Sequence, residues 1–279
     1  MSALPRPASL DLPAPADLAR ALQDRLPGFT HVQWVESTGS TNADLLARVR
    51  QTRTPKPWLL GAHLQEAGRG RAGRPWKNRS GAALMFSCAF DVRLPPAQLP
   101  AISPLAGLTA CEALRRLSGN NGIGVKWPND VQWRDAKLAG VLAETTRNPD
   151  GDGHTVVIGM GVNLCDAVML SAALERDIAD WTQVDPGAHV SNVADIVQAS
   201  ALAWQQAMSD LESAGFGAFI ERYAQADALA ARNVNVIDRG TVTLSGQAAG
   251  VDAFGRLQVL GPQGAVAITA GEISVRAQA

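Results

Sequence analysis

The chain has few cysteines, few histidines and no long apolar run, and each shortage excludes a class of protein. Its three cysteines, Cys88, Cys111 and Cys165, are far apart and form no Cys-x-x-Cys pair. This spacing argues against structural zinc and indicates buried thiols in a reducing compartment. The four histidines are isolated from one another, which favours ordinary surface or core positions over metal ligands.

No stretch approaches the roughly 18 apolar residues that span a membrane. Four prolines, Pro5, Pro7, Pro13 and Pro15, break the N-terminus and leave no apolar core of the signal-peptide type. We therefore expect a cytoplasmic protein without a membrane contact. The formal net charge is -1, so the chain is not globally basic. A Walker loop, Gly-x-x-x-x-Gly-Lys-Ser/Thr, does not occur.

A loop at 65–76 alternates glycine with arginine and ends at Trp76. Five basic side chains and no acidic one lie between positions 69 and 79. The segment therefore faces either water or an anionic ligand. Its glycines favour the ligand, because they allow positive φ and a close approach of the backbone to a bound group. We predict a loop that closes over an anion.

The same loop matches the dinucleotide fingerprint as Gly68-x-Gly70-x-x-Gly73. A Rossmann unit needs a crossover helix directly after the third glycine. Residues 74–81 contain a proline and a glycine, show no helical period and lead into a strand-like stretch at 82–90. We interpret the fingerprint as a coincidence.

Apolar periodicity predicts both helices and strands in a chain with 46% hydrophobic residues. Residues 1–30 form a lead with one short helix at 16–26, too short for a DNA-binding domain. Residues 31–232 form the main domain, and 233–279, with short strands and tight turns, form a small β-barrel. The predicted helices lie at 103–117, with Ser103 as N-cap, from 192 to about 215, and at 216–226; the main-domain strands lie at 59–65, 82–90, 124–127, 131–133, 138–144 and 155–164.

The segment Lys126-Trp127-Pro128-Asn129-Asp130 groups a cation, an indole, an amide and a carboxylate around a proline that excludes helix. On its own the Asn-Asp pair is more typical of a hairpin corner, in which Asn129 and Asp130 cap backbone groups. A turn at Arg134-Asp135 then brings Lys137 back toward Asp130. A lysine in an otherwise apolar strand needs an anionic partner, either Asp130 or a ligand's carboxylate and phosphate.

Three further segments are ambiguous alone. Two glycines and an amide in Gly159-x-Gly161-Val162-Asn163 permit either close approach of a flat ring or a β-bulge. Ser40-Thr41-Asn42 precedes a helix, where N-capping is the default role. Trp181 either packs in the core or stacks on a base.

In this order and spacing, the segments resemble the biotin protein ligase family, also called biotin-[acetyl-CoA-carboxylase] ligase, over about residues 31–276. The most specific piece is Gly68-Arg69-Gly70-Arg71-x-Gly73-Arg74-x-Trp76. The resemblance implies an α+β catalytic domain with a mixed sheet and a C-terminal Src-homology-3-like β-barrel. It also implies a monofunctional member without the N-terminal winged helix-turn-helix of bifunctional members, and hence no nucleic-acid partner.

The implied reaction has two steps. The biotin carboxylate attacks the α-phosphate of MgATP, and a lysine of the biotin carboxyl carrier protein then attacks biotinyl-5'-AMP. The resemblance assigns catalysis to Lys137, Arg71 and Asp130. It assigns biotin binding to Ser40, Thr41, Asn42, Gln65, Gly68, Arg69, Gly70, Arg71, Lys137 and Gly140. It assigns ATP binding to Arg69, Arg71, Arg74, Trp76, Lys126, Asn129, Asn163 and Trp181. The ligands of the magnesium ion stay open, and we expect a monomer or weak homodimer.

Two alternatives belong to other classes. A lipoate-type ligase or octanoyl transferase shares the catalytic fold by resemblance, but the Gly-Arg-Gly-Arg loop ending in tryptophan resembles the biotin branch. A non-enzymatic nucleic-acid binder is weakened by the balanced charge and by the lack of aromatic residues interleaved with the basic ones beyond Trp76.

Overall fold

A computed structural model describes residues 10–77, 79–148, 151–187, 192–270 and 274–278. The first 226 residues contain both helices and strands, and the described residues after them contain strands but no helix. The helices are α1 (Pro15–Arg25), α2 (Thr41–Gln51), α3 (Ile102–Ser118), α4 (Ala167–Leu174), α5 (Trp181–Val184), α6 (Asn192–Ala214) and α7 (Ile220–Ala226). The strands are β1 (His31–Thr38), β2 (Trp58–Gln65), β3 (Ala83–Val92), β4 (Ile123–Lys126), β5 (Asp130–Trp133), β6 (Ala136–Arg147), β7 (His154–Asn163), β8 (Asn233–Asp238), β9 (Thr241–Val251), β10 (Leu257–Gly261), β11 (Gly264–Ile268) and β12 (Ser274–Ala277).

The larger sheet has seven strands in the order β1-β2-β3-β7-β6-β5-β4. β1 and β2 are parallel, and every other neighbouring pair in this sheet is antiparallel. The predicted mixed sheet is therefore confirmed. The hairpin of β5 and β6 turns at Arg134 and Asp135, whose φ angles are 49° and 69°. It pairs Asp130 with Gly140 and so brings two predicted site segments side by side.

Helices cover the sheet because their apolar stripes need burial. α3 and α6 pack against each other, and α6 packs on β3. Elsewhere α2 contributes Leu45 and Val49 to a smaller buried cluster with Trp58 of β2. Ser103 is not the N-cap of α3, contrary to our prediction. The 3₁₀ turn Pro96–Ala101 runs directly into the helix, so Ser103 already lies in its first turn.

The helix predicted in the N-terminal lead packs on the larger sheet. α1 contacts β1 and α6, and Leu18 and Leu22 are fully buried in the main core. β1 itself was not predicted from the sequence. The boundary at residue 30 stays a prediction, but the helix before it shares the core of the residues after it.

The smaller sheet has five antiparallel strands in the order β11-β10-β9-β8-β12. It is the small β domain that the change of pattern after Arg232 predicts. Trp127, at the β4–β5 corner of the larger sheet, donates from Nε1 to the carbonyl of Gly255 at 3.0 Å. Gly255 has φ +71°, and a Cβ there would lie 3.0 Å from Pro104. This close approach fixes the smaller sheet against the site-bearing corner. No helix among the described residues is both long and apolar enough to cross a membrane.

A buried carboxyl group lies where α7 leads into the smaller sheet. Asp227 accepts a hydrogen bond from the Leu229 amide at 2.8 Å through Oδ1, while its Oδ2 is buried and has no partner among the described residues. Burial raises the pKa of Asp227 from 3.8 to about 6, although the Leu229 amide acts in the opposite direction. The folded chain therefore keeps this proton at a pH at which the unfolded chain has released it.

Asp227→Asn is expected to raise the melting temperature at pH 8. Between pH 3.8 and about 6 the folded state binds more protons at this site, so the free energy of unfolding of the parent chain falls as the pH rises. Above this pH window the parent chain has lost on the order of 3 kcal/mol of its free energy of unfolding. Asparagine cannot ionise, so the gain in melting temperature should shrink toward pH 4. Thermal unfolding at both values measures it, and an equal gain at pH 4 and pH 8 would contradict the assignment.

Candidate functional site

A cavity of about 320 Å³ opens between the glycine- and arginine-rich loop at 68–76, called the Gly-Arg loop below, the β4–β5 corner, β6 and β12. It brings together most of the predicted site residues, namely Ser40, Thr41, Asn42, Gln65, Arg69, Gly70, Arg71, Arg74, Trp76, Lys126, Asn129, Asp130, Lys137 and Gly140. Seven cationic side chains and three carboxylates line it. Because the cations are in excess, the cavity suits an anionic ligand.

The Gly-Arg loop is a narrow hairpin. The Trp76 amide donates to the Gly68 carbonyl at 2.8 Å, and the Gly70 amide donates to the Arg74 carbonyl at 2.7 Å. The tip is a 3₁₀ turn, Arg71–Gly73, in which Ala72 has φ 54° and Gly73 has φ 68°. Ala72 and Gly73 are thus both left-handed, a conformation that costs little only for glycine. This turn places Arg71 on the cavity.

Arg71 is anchored by the amide of Asn129. Its guanidinium donates to Asn129 Oδ1 at 3.2 Å, and Asn129 Nδ2 donates to the Val141 carbonyl on β6. Burial lowers the pKa of Arg71 from its usual value, against the attraction of Asp130, and Arg74 lowers it further. A guanidinium stays charged under such a shift. Asn129 therefore ties a buried cation to the sheet.

Lys137 forms an ion pair with Asp130 across the β5–β6 hairpin. Its Nζ lies 5.5 Å from the centroid of the Trp76 ring, within cation–π range. Neighbouring Lys126 has a pKa below 10.5, chiefly because it is buried, and the cations Arg276, Lys137 and Arg232 add to this while Asp130 opposes it. The lysine in an apolar strand thus has the carboxylate partner that the sequence required, at the edge of a cation-rich cavity.

Two glycines form the floor beneath Trp76. Gly140 on β6 and Gly161 on β7 are paired in register. A Cβ at Gly161 would lie 2.6 Å from the Trp76 ring, and one at Gly140 would lie 3.2 Å from it. The flat ring that these glycines admit is therefore the protein's own indole.

Polar side chains line one end of the cavity. The backbone N–H of Thr41 donates to Gln65 Oε1 at 2.8 Å, and Thr41 Oγ1 lies 2.7 Å from Ser87 Oγ. Ser87 in turn donates to Asn42 Oδ1 at 2.6 Å. Ser40 caps α2 by accepting from the Ala43 amide at 3.4 Å, which is the N-capping role typical of its position. Thr41 and Asn42 belong instead to this polar network.

Several cavity residues were missed from the sequence. Ser87 is fully buried, and as the lone hydroxyl in the apolar strand β3 it could have been recognised. Arg176 and Asp177 gave no such indication. Ser274, Val275 and Arg276 of the smaller sheet also line the cavity, and no motif in the sequence indicated them.

Three predicted site residues lie outside the cavity lining: Gly68, Asn163 and Trp181. Asn163 Nδ2 donates to the carbonyls of Lys137 and Ala179 at 3.0 and 3.1 Å. Trp181 is 2% exposed and belongs to the main core. In this structure Asn163 fixes the backbone of β6 beneath Lys137, and Trp181 packs in the core. The adenine contacts of both residues stay a prediction.

Comparison with known proteins places this site in a family. Residues 34–163 match the model of the biotin/lipoate A/B protein ligase family, and residues 232–276 match the biotin protein ligase C-terminal domain. The biotin-[acetyl-CoA-carboxylase] ligase of Paracoccus denitrificans is 31% identical over 85% of this chain and 97% of its own length. The bifunctional ligase/repressor BirA of Salmonella typhimurium is 33% identical over 85% of this chain and 72% of its own length. The chain belongs to the biotin protein ligase family.

The fold agrees with that membership. A structure of biotin protein ligase from Aquifex aeolicus in complex with biotin and ATP superposes with a TM-score of 0.72 at 22% identity, covering 90% of this chain and all of that one. The matched region spans only 47% of the Escherichia coli BirA protein. The predicted family, fold class and enzyme class are confirmed. The residue roles, domain bounds, absence of DNA binding and oligomeric state stay predictions.

Proposed function

We propose that this biotin protein ligase activates biotin with ATP and transfers it to a lysine of a biotin carboxyl carrier protein, with both steps in the cavity described above. The observation that carries the proposal is the polarity of the cavity. One end holds the neutral side chains of Thr41, Ser87 and Gln65, and the other holds Arg71 and Lys137. Biotin likewise has a neutral ureido ring at one end and a carboxylate at the other.

The first step joins two anions. An oxygen of the biotin carboxylate forms a bond to the α-phosphorus of ATP, and the bond from that phosphorus to the pyrophosphate oxygen breaks. Arg71 and Lys137 line the same cavity and reduce the repulsion by charge fixed in place before the reaction. Asn129 holds Arg71 and Asp130 holds Lys137, so neither cation has to be ordered when the substrates arrive.

The second step releases AMP. The ε-amine of the carrier lysine attacks the carbonyl carbon of the mixed anhydride, and the bond from that carbon to the phosphate oxygen breaks. The attacking amine must lose a proton, and Asp130 is the carboxylate paired with Lys137 at the cavity. We assign Asp130 to orienting Lys137 and to receiving that proton.

ATP enters as its magnesium complex. The described residues hold no cluster of three or more His, Cys, Asp or Glu side chains that could bind a metal ion. Arg276 of β12 lines the cavity, and Arg74 of the Gly-Arg loop donates to Ser274 at 2.9 Å. We assign Ser274 and Arg276 of the smaller sheet to the part of the cavity that binds the nucleotide.

Arg276→Ala should therefore raise the KM for ATP about tenfold, because one charge-assisted contact to a phosphate is lost. The affinity for biotin alone, measured by calorimetry, should stay unchanged. Arg93→Ala is a matched control, since it removes an arginine whose side chain is 80% exposed. Equal losses of ATP and biotin affinity would contradict the assignment.

The proposed function itself is tested by ATP–pyrophosphate exchange with biotin or lipoate added in turn, followed by labelling of a carrier protein. We expect exchange with biotin and transfer to a single carrier lysine. Exchange with lipoate and none with biotin would favour the lipoate-type alternative instead.

A further inference from the structure

Glu144 on β6 is a hydrogen-bond partner of Asn42 at the neutral end of the cavity. Asn42 Nδ2 donates to Glu144 Oε2 at 2.9 Å and to the Leu142 carbonyl at 3.2 Å. A carboxylate and a carbonyl can only accept, so the atom of Asn42 that faces them must be its NH₂ group. The oxygen of the amide therefore lies on the opposite side.

That oxygen lies between Ser87 and Gly159. Ser87 Oγ donates to it at 2.6 Å, and a Cβ at Gly159 would lie only 2.1 Å from it. Glycine is thus required on β7 at this position, since a Cβ would displace the Asn42 amide.

The orientation of Asn42 sets the direction of the neighbouring hydrogen bonds. Ser87 donates its single hydrogen to Asn42 Oδ1, so it can only accept in the 2.7 Å contact with Thr41 Oγ1. The Thr41 hydroxyl is then the donor to Ser87, because its other acceptor, Gln65 Oε1, is more distant at 3.3 Å. The hydroxyl hydrogens of Thr41 and Ser87 then both point along this series of hydrogen bonds, in the direction of Asn42 and Glu144. Thr41 Oγ1, Ser87 Oγ and Asn42 Oδ1 therefore keep lone pairs but have no free hydrogen to donate. A ligand meets acceptors from these three side chains.

We propose that Glu144 is a positioning residue that fixes this polarity and makes the neutral end selective for a ring that carries N–H donors. The inference rests on the proposed function, in which the ureido ring of biotin occupies this end. Glu144 is outside the cavity lining and acts through Asn42. Its charge-assisted bond is roughly twice as strong as a neutral one, so it holds the amide more firmly than the Leu142 carbonyl does.

The test compares Glu144→Ala, Glu144→Gln and the parent enzyme by ATP–pyrophosphate exchange. Glu144→Ala should raise the KM for biotin about tenfold, because the amide of Asn42 loses its stronger anchor. The kcat and the KM for ATP should change less than about twofold. Glu144→Gln should restore the KM for biotin to within about threefold, since its carbonyl oxygen still accepts from Asn42. Glu36→Ala, at an exposed position of β1, is the matched control.

An unchanged KM for biotin in Glu144→Ala would overturn the inference. Equal rises in the KM for biotin and for ATP would also overturn it, because they would indicate general damage to the fold. So would a Glu144→Gln variant as defective as Glu144→Ala. A parent enzyme without biotin-dependent exchange would instead overturn the proposed function, so the two failures are distinguishable.

Discussion

Replacing Lys137 with alanine is expected to lower biotin-dependent ATP–pyrophosphate exchange by about 10²–10³-fold, the usual effect of losing one preorganised contact to developing charge. Lys137 combines an ion pair with Asp130 and a position over the Trp76 ring at the cavity. No other lysine of the described chain has both contacts. Its removal also leaves the carboxylate of Asp130 without its cation, which adds negative charge where two anions must meet.

The matched control for Lys137 is Lys77→Ala. Lys77 lies in the basic stretch that follows the loop tip, but it is exposed and does not line the cavity. Its removal changes the net charge by the same amount, so it should leave exchange near the parent rate. Exchange by Lys137→Ala within about threefold of the parent, against this control, would refute the assigned role.

The parts of the site that the sequence predicts are those in which neighbours in the chain are neighbours in space. The turn at Arg134 and Asp135 returns β6 onto β5 within a few residues. The approach of Lys137 to Asp130 therefore follows from the hairpin and from the need of a lysine in an apolar strand for an anion. The glycine and arginine alternation similarly predicts an anion-facing loop without knowledge of the fold.

The remaining parts depend on strand order, which local pattern does not encode. Ser87 and Glu144 reach Asn42 because β3 and β6 both pair with β7. Ser274 and Arg276 reach the cavity only through the packing of the smaller sheet. Trp181 is a position at which the local pattern fits two different roles. A tryptophan after a loop is consistent with base stacking and with core packing, and the local pattern does not choose between them. In the structure Trp181 is buried.

Arg71→Gly is expected to keep some first-step activity yet release biotinyl-AMP about 100-fold faster than the parent, because the loop loses the charge-assisted anchor that holds it over the cavity. Lys137 and Asp130 are untouched by this change, so the adenylate still forms, but more slowly because one of the two preorganised cations is lost. The guanidinium that reaches Asn129 from the loop tip is lost, and glycine adds flexibility at the same position. An uncovered mixed anhydride then escapes into water before a carrier lysine arrives.

Two measurements and one control distinguish poor retention of biotinyl-AMP from poor synthesis of it. The release rate of labelled biotinyl-AMP, and the labelling of an added non-cognate protein, should both rise in Arg71→Gly. Ala72→Gly is the matched control: it adds glycine flexibility at the adjacent position, where φ is already 54°, and it keeps the guanidinium. If anchoring by Arg71 matters, this control retains the adenylate like the parent. Release from Ala72→Gly as fast as from Arg71→Gly would mean that loop stiffness, and not the contact with Asn129, holds the intermediate.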